Sequence, residues 1–338
     1  MVEQGTHKPL VGGSNPPSAT NPPTLAAIAD ALHTAFRRLG VPDDAVLVLA
    51  VSGGPDSMAM LHAVAHLLET DAARWHVTVA HLDHALRPDS ADDATFVTEA
   101  SAALRLPCAV RRTDVAALAR GESRSVEDAG REARYRFLEE VAGPDGWVAT
   151  AHTADDSAET VLLNLLRGSG LAGVGGIPER RGRIVRPVLG LRSAALRSAL
   201  DAAGLPYRLD PSNDDPAFAR NRIRHELLPL IERLNPAAVT SITRFGHLAA
   251  DDDELLDQLA SAELQHRQDA DGGIDWHDPP HRALGRRILR LATGGSPPAA
   301  ERIEALLDAA EGPRGGLTIE LGGGRRASVR ERRIGLEP

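Results

Sequence analysis

The chain has 338 residues, a net charge of −9 and a single cysteine, Cys108. That length suits two or three domains rather than one, and no apolar run approaches the ~18 residues of a membrane span. One cysteine excludes an intrachain disulfide and any cysteine-built zinc or iron–sulfur site. The acidic balance argues against general nucleic-acid affinity, although local basic patches decide that question. Residues 1–23 are rich in Pro, Gly, Ser and Asn, and the composition predicts a disordered extension. They lack a basic segment followed by an apolar one, so no secretory signal is read and a cytoplasmic location is expected.

A first helix is predicted over Leu25–Leu39, capped by Thr24 and ended by Gly40. The continuous apolar run Val46–Val51 reads as a strand of a parallel sheet, buried on both faces. It runs into Ser52-Gly53-Gly54-Pro55-Asp56-Ser57 and then a helical pattern, about Ser57–Leu68. Strand, glycine-rich turn and helix together aim backbone N–H groups at an anion. Two glycines let the backbone approach a phosphate, and Ser52 and Ser57 add hydroxyls. Asp56 would repel phosphate unless a cation such as Mg²⁺ lies between them. The plainer reading is a turn with a Ser/Asp cap. A Walker A loop is ruled out, because Lys8 is the only lysine.

Further strands are predicted at His76–Leu82, Ala109–Arg112 and Trp147–Ala151. Helices at Ala91–Leu104, Val126–Val141 and Ala154–Arg167 alternate with them. This alternation predicts an α/β fold with a doubly wound parallel sheet, whose ligands bind beyond the carboxyl ends of the strands. Gly168, Gly170 and Gly173 spell G-x-G-x-x-G but follow a helix, so Gly168–Pro178 reads as a flexible loop over substrate. A strand near Ile184–Pro187, a helix at Ser193–Ala203, a loop at Asp210–Pro216 and a helix at Phe218–Arg233 come next. A long helix over Pro236–Gln265 leads to one or two helices and a closing β-hairpin, with strands Leu317–Leu321 and Ala327–Ile334 about a Gly322–Gly324 turn. The expected segments are the extension, a catalytic domain over 24–235, a helical linker over 236–265 and a small α+β domain over 266–338.

Four stretches can carry chemistry. His81, Asp83 and His84 end a strand, but His84 points to the opposite side from the other two, which weakens a metal reading. Arg131 and Arg134 share a helix face, with Arg124 upstream, and could stabilise phosphate charge; a salt-bridged surface is the plainer alternative. His152 follows the fourth strand. Asp156 and Glu159 share one face of the helix behind it, where they would cap the dipole or hold a cation, either a metal or an ammonium. Arg220 and Arg224 lie four apart on a later helix, which otherwise reads as an amphipathic link.

Ser52–Ser57 resembles the SGGxDS loop of the PP-loop ATP pyrophosphatases. Three longer stretches resemble one family within them, the tRNA(Ile)-lysidine synthases. His81–Arg87, HLDHALR, is similar to their HxDHxLR segment. Thr150–Arg167, TAHTADDSAETVLLNLLR, is similar to TAHxxDDxxET. Asp210–Pro229 is similar to DxSN…RNxIR…LLP. The resemblance implies ATP bound at Ser52, Gly53, Gly54, Pro55, Asp56 and Ser57, with Asp56 toward Mg²⁺. It implies a role in adenylation for His152 and for Arg131 or Arg134. It implies lysine held by Asp156, Glu159 and Arg224. The partner would be tRNA(Ile) with a CAU anticodon, its wobble cytidine converted to lysidine. Arg325, Arg326, Arg330, Arg332 and Arg333, with the Arg180–Arg186 cluster, are candidate tRNA phosphate contacts. No membrane is expected, and a homodimer is left open. A tRNA thiolase and a catalytically silent tRNA-binding protein are the rivals.

Overall fold

The computed structural model describes residues 23–87, 89–209, 218–294, 299–312, 316–322 and 325–337. The expected extension, up to residue 22, and the loop Asp210–Pro216 lie outside the described residues, as do Pro88 and turn residues 323–324. The chain divides into two compact units: Met1–Asp156 with Pro178–Asp215, and Ser157–Ile177 with Pro216–Pro338. This division cuts through the expected segment 24–235 and leaves 236–265 and 266–338 together in the second unit.

The first unit is built on strand β1 (Val46–Ala50). Leu47, Val48 and Leu49 are fully buried, each worth about 1.5–3 kcal/mol; only Val46, at the entry, is exposed. β2 (His76–Asp83) and β4 (Trp147–Thr150) flank β1 in parallel register. β3 (Cys108–Arg112) extends the sheet beside β2, and β6 (Ile184–Val185) beside β4. β5 (Arg180–Arg181) pairs antiparallel with β6, giving the order β3-β2-β1-β4-β6-β5. The expected parallel sheet therefore ends in one antiparallel edge. A tight return through Gly182, in the left-handed region at φ +59°, makes that edge.

Both faces are covered. α1 (Leu25–Arg38), α2 (Pro55–Glu69) and α8 (Ser193–Ala203) share one apolar core around Phe36, Leu61 and Leu196. α5 (Val126–Ala142) packs Tyr135, Phe137 and Leu138 against Val48, Ala80 and Val148. α3 (Ser90–Ala103) links β2 to β3. α4 (Val115–Gly121) has no counterpart in the sequence reading, since its two turns are too short to show a period; Asp114 caps it by accepting from the Ala117 N–H. α6 (Ala154–Leu166) begins in the first unit, and the division falls within it after Asp156.

In the second unit, Gly168–Pro178 is not wholly a loop, because it contains α7 (Leu171–Val174), on which Asn164 donates to the Gly173 carbonyl at 2.6 Å. The single helix expected over Phe218–Arg233 is broken into three. α9 (Ala219–Arg222) passes into a π-helical turn over Ile223–Leu227 and then α10 (Leu228–Leu234). Pro229 explains the break: it has no N–H and its ring crowds the His225 carbonyl, so the ladder widens. α11 (Ala238–Arg267) follows, then β7 (Ile274–Asp275), α12 (Arg282–Thr293) and α13 (Ala300–Glu311). The expected hairpin is a four-stranded antiparallel sheet, β7-β10-β9-β8, built from β8 (Leu317–Gly322), β9 (Arg325–Arg330) and β10 (Arg333–Glu337). Ala327–Ile334 is not one strand, because Glu331 and Arg332 both sit at positive φ, +47° and +56°, and reverse the chain. Such a turn usually announces itself by Asn-Gly or Asp-Gly, which is absent here. No helix among the described residues is long and apolar enough to cross a membrane.

Candidate functional site

The loop after β1 is held open by its own serines. Ser57 donates to the Gly54 carbonyl at 3.0 Å and accepts from the Ser52 N–H at 3.1 Å. Ser57 is therefore buried and shapes the loop, while Ser52 is exposed. Gly53 takes φ +90°, and its carbonyl accepts from the Arg208 N–H at 2.9 Å. Gly54 caps α2 without a side-chain bond and Pro55 opens its first turn. The first-turn N–H groups of a fifteen-residue helix thus have no side-chain cap, which suits a phosphate.

Asp56 is fixed from outside the loop. Ser193, the first residue of α8, donates its hydroxyl to Asp56 Oδ1 at 2.6 Å. The Ser193 N–H in turn donates to Asp155 Oδ2 at 2.8 Å, and Arg192 pairs with Asp155 at 2.9 Å. Asp155 therefore anchors the start of α8 and, through Ser193, the acid of the phosphate loop. Neither Ser193 nor Arg192 carried a sequence signal, since both act only across the fold. Asp56 fits a Mg²⁺ site in kind: one hard carboxylate beside a phosphate loop, the rest of the shell coming from phosphate and water. No group of three His, Cys, Asp or Glu able to hold a metal occurs among the described residues.

His152 is half-buried just past β4, and its Nδ1 lies 2.9 Å from Thr150 Oγ1, which fixes the ring. Thr153 and Asp156 form a reciprocal cap on α6. The Thr153 N–H and hydroxyl donate to Asp156 Oδ2 at 2.8 and 3.0 Å, and the Asp156 N–H faces Thr153 Oγ1 at 3.4 Å. Asp156 thus carries the capping role set against its ligand role.

The stretch His81–His84 is spent on structure. His81 Nδ1 lies 2.8 Å from the Val51 carbonyl, tying β2 to the exit of β1. Asp83 accepts from the Ala85 N–H at 2.8 Å and pairs with Arg112 at 3.3 Å. Burial opposes its charge, but those partners hold the carboxyl below its ordinary value. Burial, with the Arg134 guanidinium second, pushes the His84 pKa down to about 4. Arg134 is therefore the member of its pair that lies at the carboxyl end of β2, half-buried. Arg131 is exposed and stacks over Tyr135, 5.1 Å from the ring centroid. Arg124 pairs with Glu122 and Glu132.

In the second unit, Glu159 is fully buried. It accepts from Arg220 Nε at 2.8 Å and from Arg224 Nε and Nη2 at 2.5 and 3.0 Å. Arg220 on α9 and Arg224 in the π-helical turn both reach that one carboxylate. Arg224 and Glu159 thus meet each other directly.

The terminal arginines divide. Arg325 donates to the carbonyls of Thr293 and Gly294, and Arg333 pairs with Asp269. Arg326, Arg330 and Arg332 are exposed. In the 180–186 cluster, Arg180 donates to the Leu39 carbonyl, Arg183 pairs with Asp145, and Arg186 is 2% exposed. Arg186 is therefore withdrawn from the surface, while Arg180, Arg181 and Arg183 are exposed.

A twisted, mainly parallel sheet with an uncapped glycine-rich loop at the carboxyl end of its central strand defines a nucleotide-binding α/β protein. Residues 27–231 match the family model of the PP-loop domain. A U34-tRNA thiolase from Methanococcus maripaludis shares the fold at 15% identity and TM-score 0.54, over 66% of this chain and 80% of that one. A tRNA(Ile)-lysidine synthase of Geobacter sulfurreducens is 43% identical over 78% of this chain and 56% of its own length. One from Deinococcus radiodurans is 39% identical over 85% and 48%, and one from Salinispora tropica 41% identical over 75% and 76%. The chain belongs to the tRNA(Ile)-lysidine synthase family of PP-loop proteins. It spans about half the length of the first two of these curated relatives.

Proposed function

We propose that the protein uses ATP to join lysine to C2 of the wobble cytidine in a CAU-anticodon tRNA(Ile), giving lysidine. The C2 oxygen attacks the α-phosphate of ATP and pyrophosphate leaves. The lysine amine then attacks C2, and AMP departs with that oxygen. The Ser52–Ser57 loop and the α2 N-terminus take the phosphates, and Asp56 would hold a Mg²⁺ ion, which would supply charge neutralisation there. Arg134, rather than Arg131, stabilises the departing charge, and His152 serves the adenylation step.

The observation that carries the reading is Glu159 with Arg224. A buried carboxylate and a guanidinium in contact are the two complements an amino acid needs, one for an ammonium and one for a carboxylate. Lysine would enter by exchanging this pair for two new ones, with Asp156 adding a second acid. A phosphate or a base would find no use for a buried acid.

The test is AMP release from ATP with an unmodified CAU-anticodon tRNA(Ile) transcript, with and without radiolabelled lysine. Lysine should enter the tRNA one-for-one with AMP. AMP release without lysine incorporation would replace lysine with another nucleophile, and no AMP release would leave a tRNA-binding protein.

A further inference from the structure

Tyr135 gathers guanidiniums from two distant parts of the first unit. Arg131 lies 5.1 Å and Arg181 5.2 Å from its ring centroid. Arg186 donates from Nη2 to its hydroxyl at 3.4 Å. Arg186 is itself 2% exposed, and its Nε has no hydrogen-bond partner. Val185 stands opposite Ala149, so Arg186 comes level with Thr150 at the carboxyl end of the sheet, the end from which His152 emerges.

Two facts separate this group from the other arginines of the region. First, Arg131 and Arg181 are exposed and have no carboxylate partner among the described residues, whereas Arg124, Arg183 and Arg192 are ion-paired. Second, Tyr135 itself is only 7% exposed. A base could not stack on it. What the surface presents is two planar forks, and the anion that suits such forks is phosphate.

We propose that Arg131 and Arg181, stacked on Tyr135 and backed by Arg186, form a docking surface for the phosphate backbone of the RNA substrate, beside the mouth of the nucleotide site. It positions the strand without reading its sequence, because phosphate contacts carry register and not base identity. This assigns Arg131 to the polynucleotide and Arg134 to the nucleotide. The inference rests on the tRNA reading above.

The experiment measures binding of a CAU-anticodon stem-loop RNA across a salt series, for wild type, Arg181→Glu, Arg181→Lys and Arg131→Gln. Charge reversal at Arg181 should weaken binding about tenfold, and the slope of log K against log salt should fall by about 0.7–0.9 for each phosphate that goes unneutralised. Arg181→Lys should keep most of the affinity, because it keeps the charge. Arg131→Gln should lower the slope in the same way. ATP affinity of Arg181→Glu, measured without RNA, should not change. Unaltered RNA affinity and slope in Arg181→Glu would overturn the docking surface and leave the tRNA reading standing. Loss in Arg181→Lys as deep as in Arg181→Glu would overturn it too, making the stacking merely structural. Wild-type protein that binds no RNA would remove both.

Discussion

Arg224 donates from Nε and Nη2 to the two carboxylate oxygens of Glu159, 65 residues earlier in the chain. Glu159 is wholly buried, while the Arg220 and Arg224 side chains are 35% and 36% exposed. The acid therefore depends on the arginines more than they depend on it. Glu159→Gln keeps the shape and removes the charge. It should cost about 2 kcal/mol, less than the roughly 3–5 kcal/mol of a wholly buried pair, because its partners reach water. Urea unfolding checks this figure. Lysine incorporation should fall at least a hundredfold while tRNA-dependent pyrophosphate release persists; equal loss of both steps would argue against a lysine site.

Asp156 has a capping role and a proposed ligand role, and two substitutions separate them. Asp156→Asn keeps an oxygen for the Thr153 N–H and should change stability by less than about 0.5 kcal/mol. Asp156→Ala loses the cap and should cost about 1 kcal/mol. Both should raise the KM for lysine about tenfold. If KM follows the cap rather than the charge, Asp156 is structural only.

Ser193 fixes Asp56 without belonging to the phosphate loop. Ser193→Ala should leave the melting temperature within about 2 °C, since the N–H bond to Asp155 remains. With the Ser193 bond to Asp56 gone, half-maximal activity should need several-fold more Mg²⁺. A Mg²⁺ titration of AMP release reads this directly, and an unchanged midpoint would show that Asp56 does not meet the cation.

His84 gives a pH dependence of definite sign. Its folded pKa, about 4, lies below the ordinary value of 6.5, so the unfolded chain binds the proton more readily. Its contribution to stability is complete above about pH 6.5 and is lost as pH falls toward 4. The whole effect is on the order of 3 kcal/mol. Urea midpoints of wild type and His84→Gln, compared at pH 7 and pH 5, should converge at the lower pH. A constant gap would mean that His84 does not titrate in this window.

Much of this was legible in the chain. The run from Val46 into Ser52–Ser57 announced a buried strand and a glycine turn into a helix, because burial on both faces leaves an uninterrupted apolar word and a turn at positive φ demands glycine. Helix α8 was predicted near Ser193–Ala203, and the structure places it there. The losses have local causes. Glu331 and Arg332 turn the chain without glycine, so one predicted strand became two. Pro229, embedded in an otherwise helical pattern, loosened a predicted helix into a π-turn.

The sequence by itself determined the fold class, the family and the places where acids and glycines gather. Those depend on periodicity and on residue type, which one chain displays in order. Only the tertiary structure decided who meets whom. It gave Asp155 to α8 and Ser193 to Asp56, placed Arg134 by His84 and set both Arg131 and Arg181 against Tyr135, and closed Arg220 and Arg224 on Glu159. A guanidinium reads the same in sequence whether it braces a carbonyl, neutralises a buried acid or waits for phosphate. Which of these it does depends on the carboxylates and carbonyls that folding brings within hydrogen-bond reach, and spacing along the chain does not encode that.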